Sequence, residues 1–214
     1  MENKLILPPE SKPILPHASA GDWDFSSADW KIQTDIWVSP PSALQLGTAP
    51  WGDHLYVVCK NAAVLSVPQG RIVTWLRTRY TAHEWYLIFR NTAAPGAPNI
   101  NNCYLVSIRP SDSVWSLFER LNNAVTRSWT SAKTNQNANI WYRFRLSWWI
   151  SWELMIVTLD LEVDGAWVQQ GLEINVTNPL HGAATYQRPG TGAATAVDPY
   201  QKYIDDTEIW EYTP

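Results

Sequence analysis

Strict alternation of side-chain character between residues 71 and 80 is the feature that most constrains the fold. The two faces of this run are Ile72, Thr74, Leu76, Thr78 and Tyr80 against Arg71, Val73, Trp75, Arg77 and Arg79. A period of two is that of a β-strand with one face in the core, and we expect Ile72, Leu76 and Tyr80 to face that core. Residues 85–90 are apolar on both faces, which is typical of a strand covered on both sides. We interpret the two runs as a central hairpin of a β-sandwich, joined by a polar bend at residues 81–84.

A second pair of alternating runs occupies residues 140–148 and 154–163. A four-residue loop between them places Trp148 opposite Glu153 and Phe144 opposite Val157, and it puts both apolar sets on one face. The pair therefore predicts a second hairpin with a closed register.

Turn residues separate the other predicted strands. Asp164-Gly165 predicts a type I′ turn that pairs Val163 with Ala166 and Leu161 with Val168, and Asn122-Asn123 tolerates positive φ equally well. Further extended runs are expected at residues 30–38, 44–46, 54–60, 63–67, 103–109, 114–121, 124–129 and 203–212. Residues 178–199 are rich in Gly, Ala, Pro and Thr without periodicity, so we expect a long surface loop there. About twelve short strands and no helix predict an all-β, two-sheet antiparallel sandwich or jelly roll.

The chain length of 214 residues fits one large β domain, at residues 21–214, preceded by an extended arm at residues 1–20. The arm contains four prolines, so we expect it to pack along the domain or onto a neighbouring subunit. Its apolar run is too short for a signal peptide or a membrane span, which favours a cytoplasmic or virion location. A net charge of -4 is unfavourable for binding nucleic acid non-specifically.

Two cysteines, Cys59 and Cys103, lie in β-like runs, where a buried thiol is the commonest state. A disulfide between them stays an alternative, although two cysteines in a chain of this length do not make a disulfide framework.

The order of these pieces resembles the concanavalin A-like lectin/glucanase jelly roll in its laminin-G-like form. The similarity covers residues 21–212 and rests on four segments: GRIVTWLR at residues 70–77, WYRFR at residues 141–145, the Asp164-Gly165 turn and IDDTEI at residues 204–209. The resemblance implies the fold and a habit of binding glycans or proteins, without naming one ligand.

Acidic residues raise two chemical alternatives. Asp160, Glu162 and Asp164 alternate like the catalytic acids of the family's glycoside hydrolases, but in the order Asp-x-Glu-x-Asp instead of Glu-x-Asp-x-Glu. We expect them to form a solvated, ion-paired face beside Trp141 and Arg143. Residues Asp205, Asp206 and Glu208 offer oxygen ligands for Ca²⁺, but carboxylates that receive backbone N–H groups are commoner at a strand start. We therefore expect neither catalysis nor a metal or other cofactor.

Fourteen tryptophans exceed what one core needs, and this excess indicates a binding surface. The outward residues of two strands combine arginine with tryptophan, groups that stack on sugars or dock against proteins. The candidate binding residues are Trp75, Arg77, Arg79, Trp141, Arg143 and Arg145, with Trp149 and Trp152 at an exposed hairpin corner. We expect Trp148, at the start of this corner, to lie in the core. The alternative is that each arginine stem only covers the sheet while its head reaches water.

These features predict a non-catalytic structural or binding protein, best described as a head-decoration or tail-associated component of a phage or virus particle. Its expected partners are other particle proteins and copies of itself, reached through the arm, with glycans on another face and neither nucleic acid nor membrane. The alternatives are a soluble lectin-like glycan-binding module and, less favoured, a laminarinase-like glycoside hydrolase.

Overall fold

The computed structural model describes residues 11–15, 20–26, 30–33, 38, 43–46, 54–97, 99–151, 153–181, 184–194 and 202–212. Sixteen strands make up this part of the chain, together with two single-turn 3-10 helices at Ala20–Asp22 and Ala62–Val64. The strands are β1 Ser11–Leu15, β2 Trp23–Phe25, β3 Trp30–Gln33, β4 Ala43–Leu46, β5 His54–Cys59, β6 Gly70–Thr78, β7 Trp85–Asn91, β8 Cys103–Ile108, β9 Val114–Leu121, β10 Ala124–Ala132, β11 Tyr142–Ser151, β12 Leu154–Val163, β13 Ala166–Gln169, β14 Ile174–Thr177, β15 Arg188–Ala194 and β16 Lys202–Tyr212. Within the described ranges, no helix has the length and apolar character needed to span a membrane.

Two antiparallel sheets form a sandwich, as the sequence predicts. The nine-stranded sheet has the order β13-β12-β11-β6-β16-β4-β3, with β1 paired to β16 and β14 paired to β12. The seven-stranded sheet has the order β10-β9-β8-β7-β15-β5-β2. One face of each sheet packs against the other sheet. This packing removes the alternating apolar side chains of both sheets from water.

The core between the sheets is built around large aromatic side chains. Trp23, Trp85, Trp115 and Trp148 are at most 2% exposed, and the Phe89 and Trp148 rings meet across the two sheets at 4.9 Å. Burial of each such side chain stabilises the fold by roughly 1.5–3 kcal/mol or more. The predicted core positions Ile72 and Leu76 on β6 are each 1% exposed and are confirmed.

The predicted central hairpin is wrong as a pairing, although both of its strands exist. Strand β6 lies in the nine-stranded sheet between β11 and β16, whereas β7 lies in the seven-stranded sheet between β8 and β15. The connection at residues 79–84 crosses between sheets that pack roughly 10 Å apart. Tyr80 lies in this crossing and is 40% exposed, so its predicted place in the core is also wrong. Alternation identifies a strand but carries no information about its neighbours.

The register of β11 against β12 differs from the predicted one by four residues. Trp148 faces Val157, and Ser151 faces Leu154, so the loop has two residues instead of four. Because four is an even number, every apolar side chain keeps its predicted face. The Asp164-Gly165 turn is confirmed: φ is 51° and 79° at its two residues, and Val163 pairs with Ala166.

Residues 188–194 contradict the predicted long surface loop. They form β15, a central strand of the seven-stranded sheet, between β7 and β5. A Cβ added to Gly190 would lie 2.5 Å from the Val57 carbonyl oxygen, so only glycine permits this close approach. The expected strand at residues 63–67 is also wrong, since Ala62–Val64 is a 3-10 turn whose Ala63 N–H is capped by Asn61.

The described part of the N-terminal arm belongs to the sandwich. Strand β1 pairs antiparallel with the end of β16, with Ser11 opposite Tyr212. The arm thus packs along its own domain at residues 11–15, while residues 1–10 and 16–19 lie outside the described residues. Of the predicted strand at residues 30–38, the structure describes β3 and Val38. Cys59 and Cys103 are free and buried, as expected.

Candidate functional site

The predicted arginine and tryptophan side chains lie on the outer face of the nine-stranded sheet. Trp75 and Arg77 extend from β6 and are half-buried, and Arg143 and Arg145 extend from the adjacent β11. Arg143 is the register partner of Trp75, which brings the two strands' candidate residues together. Their predicted outward orientation is therefore confirmed.

Residues at the ends of these strands complete the same face. The Trp141 ring lies 6.2 Å from the Tyr203 ring, and the Arg77 guanidinium stacks over Tyr203 at 5.2 Å. Arg79 is exposed beyond the end of β6 and stacks over Tyr80 at 5.9 Å. Aromatic rings of the protein itself thus hold both of these arginines.

Carboxylates of the same sheet hold the other arginines of this face. Arg143 donates to Glu162 Oε2 at 3.1 Å and to Glu208 Oε1 at 2.9 Å, and Arg145 donates to Asp160 Oδ2 at 3.0 Å. Their cations are used internally, so the face is closed to an anionic ligand without rearrangement. The structure thereby favours the alternative in which these arginines cover the sheet.

The three alternating acids are not arranged as a pair of catalytic carboxylates. Asp160 and Glu162 face Arg145 and Arg143 in ion pairs, and Asp164 forms the turn after β12. The expected ion-paired face is present, with Arg145 in place of the predicted neighbour Trp141. Asp160 is 6% exposed, so this end of the face is less solvated than predicted.

The acids of β16 receive backbone and side-chain donors. Asp205 accepts hydrogen bonds from the backbone N–H groups of Val38 at 2.6 Å and Asp206 at 2.8 Å. Glu208 accepts from Arg143 and from Trp210 Nε1 at 3.0 Å. Within the described ranges, no group of three or more His, Cys, Asp or Glu side chains is close enough together to hold a metal ion.

The tryptophan corner at residues 148–152 differs from its predicted exposed position. Strand β11 continues to Ser151, so Trp149 remains on the sheet, packs with Ile156 and Tyr212 and is only 4% exposed. The prediction of an exposed Trp149 is wrong. Trp148 is buried in the core as expected, and Trp152 lies outside the described residues.

A groove that the sequence did not predict lies on the outer face of the seven-stranded sheet. Its volume is about 210 Å³, below the roughly 300–1,000 Å³ of drug-sized ligand sites. The floor of the groove is formed by alternate residues of the neighbouring strands β7, β8, β9 and β10. Residues that are two positions apart in a strand project from the same face of the sheet. The lining residues are Glu84, Tyr86, Leu105, Ser107, Phe118, Arg120 and Val125.

Aromatic and polar groups alternate within the groove. Tyr86 faces Ser107, and Leu105 faces Phe118, across the strand ladders. The Tyr86 hydroxyl donates to Glu84 Oε2 at 2.8 Å. Burial, followed by the nearby Glu84 carboxylate, raises the pKa of Tyr86, so the phenol stays a neutral hydrogen-bond donor at ordinary pH.

Charge in the groove is uneven. Arg109 donates to Glu84 Oε1 at 2.8 Å and neutralises that carboxylate. Arg120 donates from Nη2 to the backbone and side-chain oxygens of Asn123. Its Nε–H is buried without an acceptor, and no carboxylate of the described residues forms an ion pair with it.

The groove leaves only a faint signal in the sequence. Trp115 and Leu117 of β9 face the core, and Phe118 and Arg120 face outward, an aromatic and arginine pair similar to Trp75 and Arg77. Phe118 and Arg120 lie beside Tyr86 because β7 pairs with β8 and β8 pairs with β9. Alternation along the sequence does not reveal this order of strands.

Neither family models nor curated proteins match the sequence, but solved structures match the fold. The VIP36 exoplasmic/lumenal domain is 12% identical, with a TM-score of 0.57 over 92% of this chain and 86% of that chain. A carbohydrate esterase of the Shiga toxin-encoding bacteriophage phi24B is 11% identical, with a TM-score of 0.58 over 96% of this chain and 100% of that one.

A third match is an engineered GH43 glycoside hydrolase, 10% identical, with a TM-score of 0.56. The alignment covers 100% of this chain but only 42% of the hydrolase. At such identities a match shows the fold and nothing more. Together with the two described sheets, these matches show that the chain has the concanavalin A-like lectin/glucanase fold.

Proposed function

We propose that the protein is a non-catalytic glycan-binding protein and that the groove beside Tyr86 and Phe118 is its sugar site. The observation that carries the proposal is the composition of the groove, in which aromatic rings lie beside hydroxyl, carboxylate and guanidinium groups. A sugar presents an apolar C–H face and a rim of hydroxyls, so a site for it needs both kinds of surface. The small volume suits one sugar ring of a longer glycan.

Proteins with the same fold support this choice of ligand class. VIP36 is described in forms bound to Ca²⁺ and mannose-containing ligands, and the matched phage chain is named a carbohydrate esterase. Both descriptions name a carbohydrate, in VIP36 as a bound molecule and in the phage protein as the target of an esterase. For this chain we favour binding over catalysis, because the acids that resemble a glycosidase set are held in ion pairs.

Glycan arrays and calorimetry test the proposal. We expect wild-type protein to bind a subset of glycans and Phe118→Ala to weaken that binding about tenfold, which corresponds to about 1.4 kcal/mol. Tyr86→Phe, which removes only the hydroxyl, should weaken it less. Tyr80→Ala removes an exposed aromatic ring outside the groove and serves as the matched control. An array blank for wild type, or unchanged binding by Phe118→Ala, would refute the proposal.

We further propose that the protein carries out this binding as a head-decoration or tail-associated component of a phage or virus particle. Support comes from the matched phage protein, whose whole chain aligns with this fold, and from the described part of the arm, which forms strand β1 on β16. In this role the arm contacts particle proteins or further copies, and the groove faces the host glycan.

Gene neighbourhood and native mass spectrometry test the particle role. We expect capsid and tail genes beside the gene, and oligomers that revert to monomers when residues 1–10 are removed. Neighbouring polysaccharide-utilisation genes together with a strict monomer would contradict the particle role and leave a soluble lectin-like protein.

A further inference from the structure

We infer that the groove selects carboxylated sugars and that Arg120 is the residue that meets the carboxylate. The inference rests on the proposed glycan-binding function and adds the chemical class of the ligand. Three observations lead to it: the internal partners of the other arginines, the charge balance of the groove and the donors left free at Arg120.

All ten arginines of the chain are described, and eight of them have an ion pair or a ring contact within the protein. Ion pairs with carboxylates hold Arg109, Arg127, Arg143, Arg145 and Arg188. Aromatic rings stack against Arg71, Arg77 and Arg79. Arg90 is buried in the interior and donates to Gln187 and to the sulfur of Met155. Arg120 has neither an ion pair nor a ring contact in the described structure.

The groove therefore carries one uncompensated positive charge. Its lining contains two charged residues, Glu84 and Arg120. Both oxygens of Glu84 are occupied, one by Arg109 and the other by the Tyr86 hydroxyl. The charge that a ligand meets is that of Arg120.

The position of Arg120 suits recognition of an anion on a sugar. Its Nη2 group is engaged by the neutral oxygens of Asn123, and no acceptor of the described residues engages its Nη1 group. The Nε atom is buried without an acceptor, as it also is in Arg71, Arg109 and Arg143. A hydrogen bond from a guanidinium to a carboxylate is about twice as strong as a neutral one, and burial strengthens it further. Phe118 lies two residues away on the same face of β9, so one sugar ring reaches both its stacking surface and the guanidinium.

The phenols beside Arg120 are consistent with this geometry. Burial raises the pKa of Tyr56, and the positive charge of Arg120 acts in the opposite direction. Arg120 likewise opposes the effects of burial and Glu84 on Tyr86. Both phenols remain neutral at ordinary pH, so neither of them presents an anion that competes with the ligand for the guanidinium.

Matched pairs of ligands separate charge from shape. The probes are oligogalacturonate and its methyl ester, titrated calorimetrically, after an array that contains neutral, uronate and sialate glycans. We expect wild type to bind the acidic member of a matched pair at least tenfold more tightly, with affinity falling as salt rises.

Three variants assign the preference to Arg120. Arg120→Gln should reduce this preference to less than twofold, and Arg120→Lys should retain part of it. Arg71→Gln, on β6 of the other sheet, should leave the preference unchanged and is the charge-matched control. Thermal unfolding of each variant confirms folding before titration.

The outcomes distinguish this inference from the proposed function. Binding of neutral glycans alone, or a preference for acid that survives Arg120→Gln, overturns the inference while glycan binding stands. An array blank for wild type overturns both.

Discussion

Arg145 donates a 3.0 Å hydrogen bond from Nε to Oδ2 of Asp160, its register partner across β11 and β12. The next outward pair along the ladder, Arg143 with Glu162, repeats the arrangement at 3.1 Å. Two carboxylates that resemble a glycosidase pair in sequence are therefore each held by a guanidinium of the neighbouring strand. A retaining glycosidase instead needs its two carboxyl groups free to flank the scissile bond.

Replacing Glu162 with Gln should leave any hydrolysis of laminarin unchanged, because the carboxylate is occupied by Arg143. The free energy of unfolding should fall by roughly 0.2–1 kcal/mol, since Arg143 keeps its bond to Glu208. Reducing-sugar release and urea unfolding measure the two effects. Asp164→Asn, in the exposed turn, is the control. Hydrolysis by wild type that Glu162→Gln abolishes would show that the protein is an enzyme.

Alternation in the sequence predicted the core-facing residues within β6 and β11, but it failed at Tyr80, beyond the end of β6. Ile72, Leu76 and Trp148 are buried, and Trp75 with Arg77 lies outside, because a period of two assigns faces without reference to neighbours. The same property preserved the faces of β11 and β12 despite a four-residue error in register.

The sequence predicted the pairing of strands joined by tight turns, such as β11, β12 and β13, but not the pairing of the other strands, and so it did not predict the groove. The partners of β7 are β8 and β15, set by packing across the whole sandwich, so Tyr86 and Phe118 gave no sign of being neighbours. Strand β15 was missed because its glycines and alanines lack the large side chains that mark a buried strand. At Gly190 the absence of a side chain is required, because this residue lies directly against the Val57 carbonyl group of β5.

Gly190→Ala should destabilise the protein by roughly 1–3 kcal/mol, because the added Cβ would lie 2.5 Å from the Val57 carbonyl oxygen and the sheet must shift to accept it. Urea unfolding measures the change. Ala166→Ser, at an exposed position on the edge strand β13, is the control and should change stability little. Unaltered stability of Gly190→Ala would contradict the position of β15 between β5 and β7.

Glu119 makes the stability of the protein sensitive to acid. Burial opposes its ionisation, but hydrogen bonds from Arg127, Tyr104 and Thr126 outweigh burial and lower its pKa below the ordinary 4.5. A lowered pKa stabilises the folded state above pH 4.5, and this contribution is lost as pH falls through the folded pKa. Glu119→Gln should therefore be less stable than wild type at pH 7, with a difference that shrinks below pH 4.5.

Urea unfolding between pH 7 and pH 3 tests this linkage. Glu173→Gln, at an exposed carboxylate between β13 and β14, should follow wild type at each pH. A difference between wild type and Glu119→Gln that is constant across the pH range would mean that the Glu119 pKa is not lowered on folding.

Arg188 is fully buried and pairs with Asp24, which is 8% exposed. Its guanidinium also donates to the Cys59 carbonyl at 2.6 Å and to the Ala94 carbonyl at 2.8 Å, and so ties β15 to β2, β5 and the loop after β7. Arg188→Met should lower the free energy of unfolding by about 3–5 kcal/mol, because Asp24 and the carbonyls lose the donors that compensate their burial.

A second variant separates two causes of the lower stability of Arg188→Met, namely the unpaired charge of Asp24 and the lost packing of the arginine side chain. Arg188→Met combined with Asp24→Asn should recover part of the stability, since no buried charge then remains unpaired. Arg79→Met, at an exposed position without an ion pair in the described structure, should change stability little. Chemical unfolding of wild type, the single variants Arg188→Met and Asp24→Asn, and the double variant measures the cycle. If the double variant is as unstable as the sum of the single variants, Arg188 stabilises the sandwich through its backbone hydrogen bonds and not through its charge.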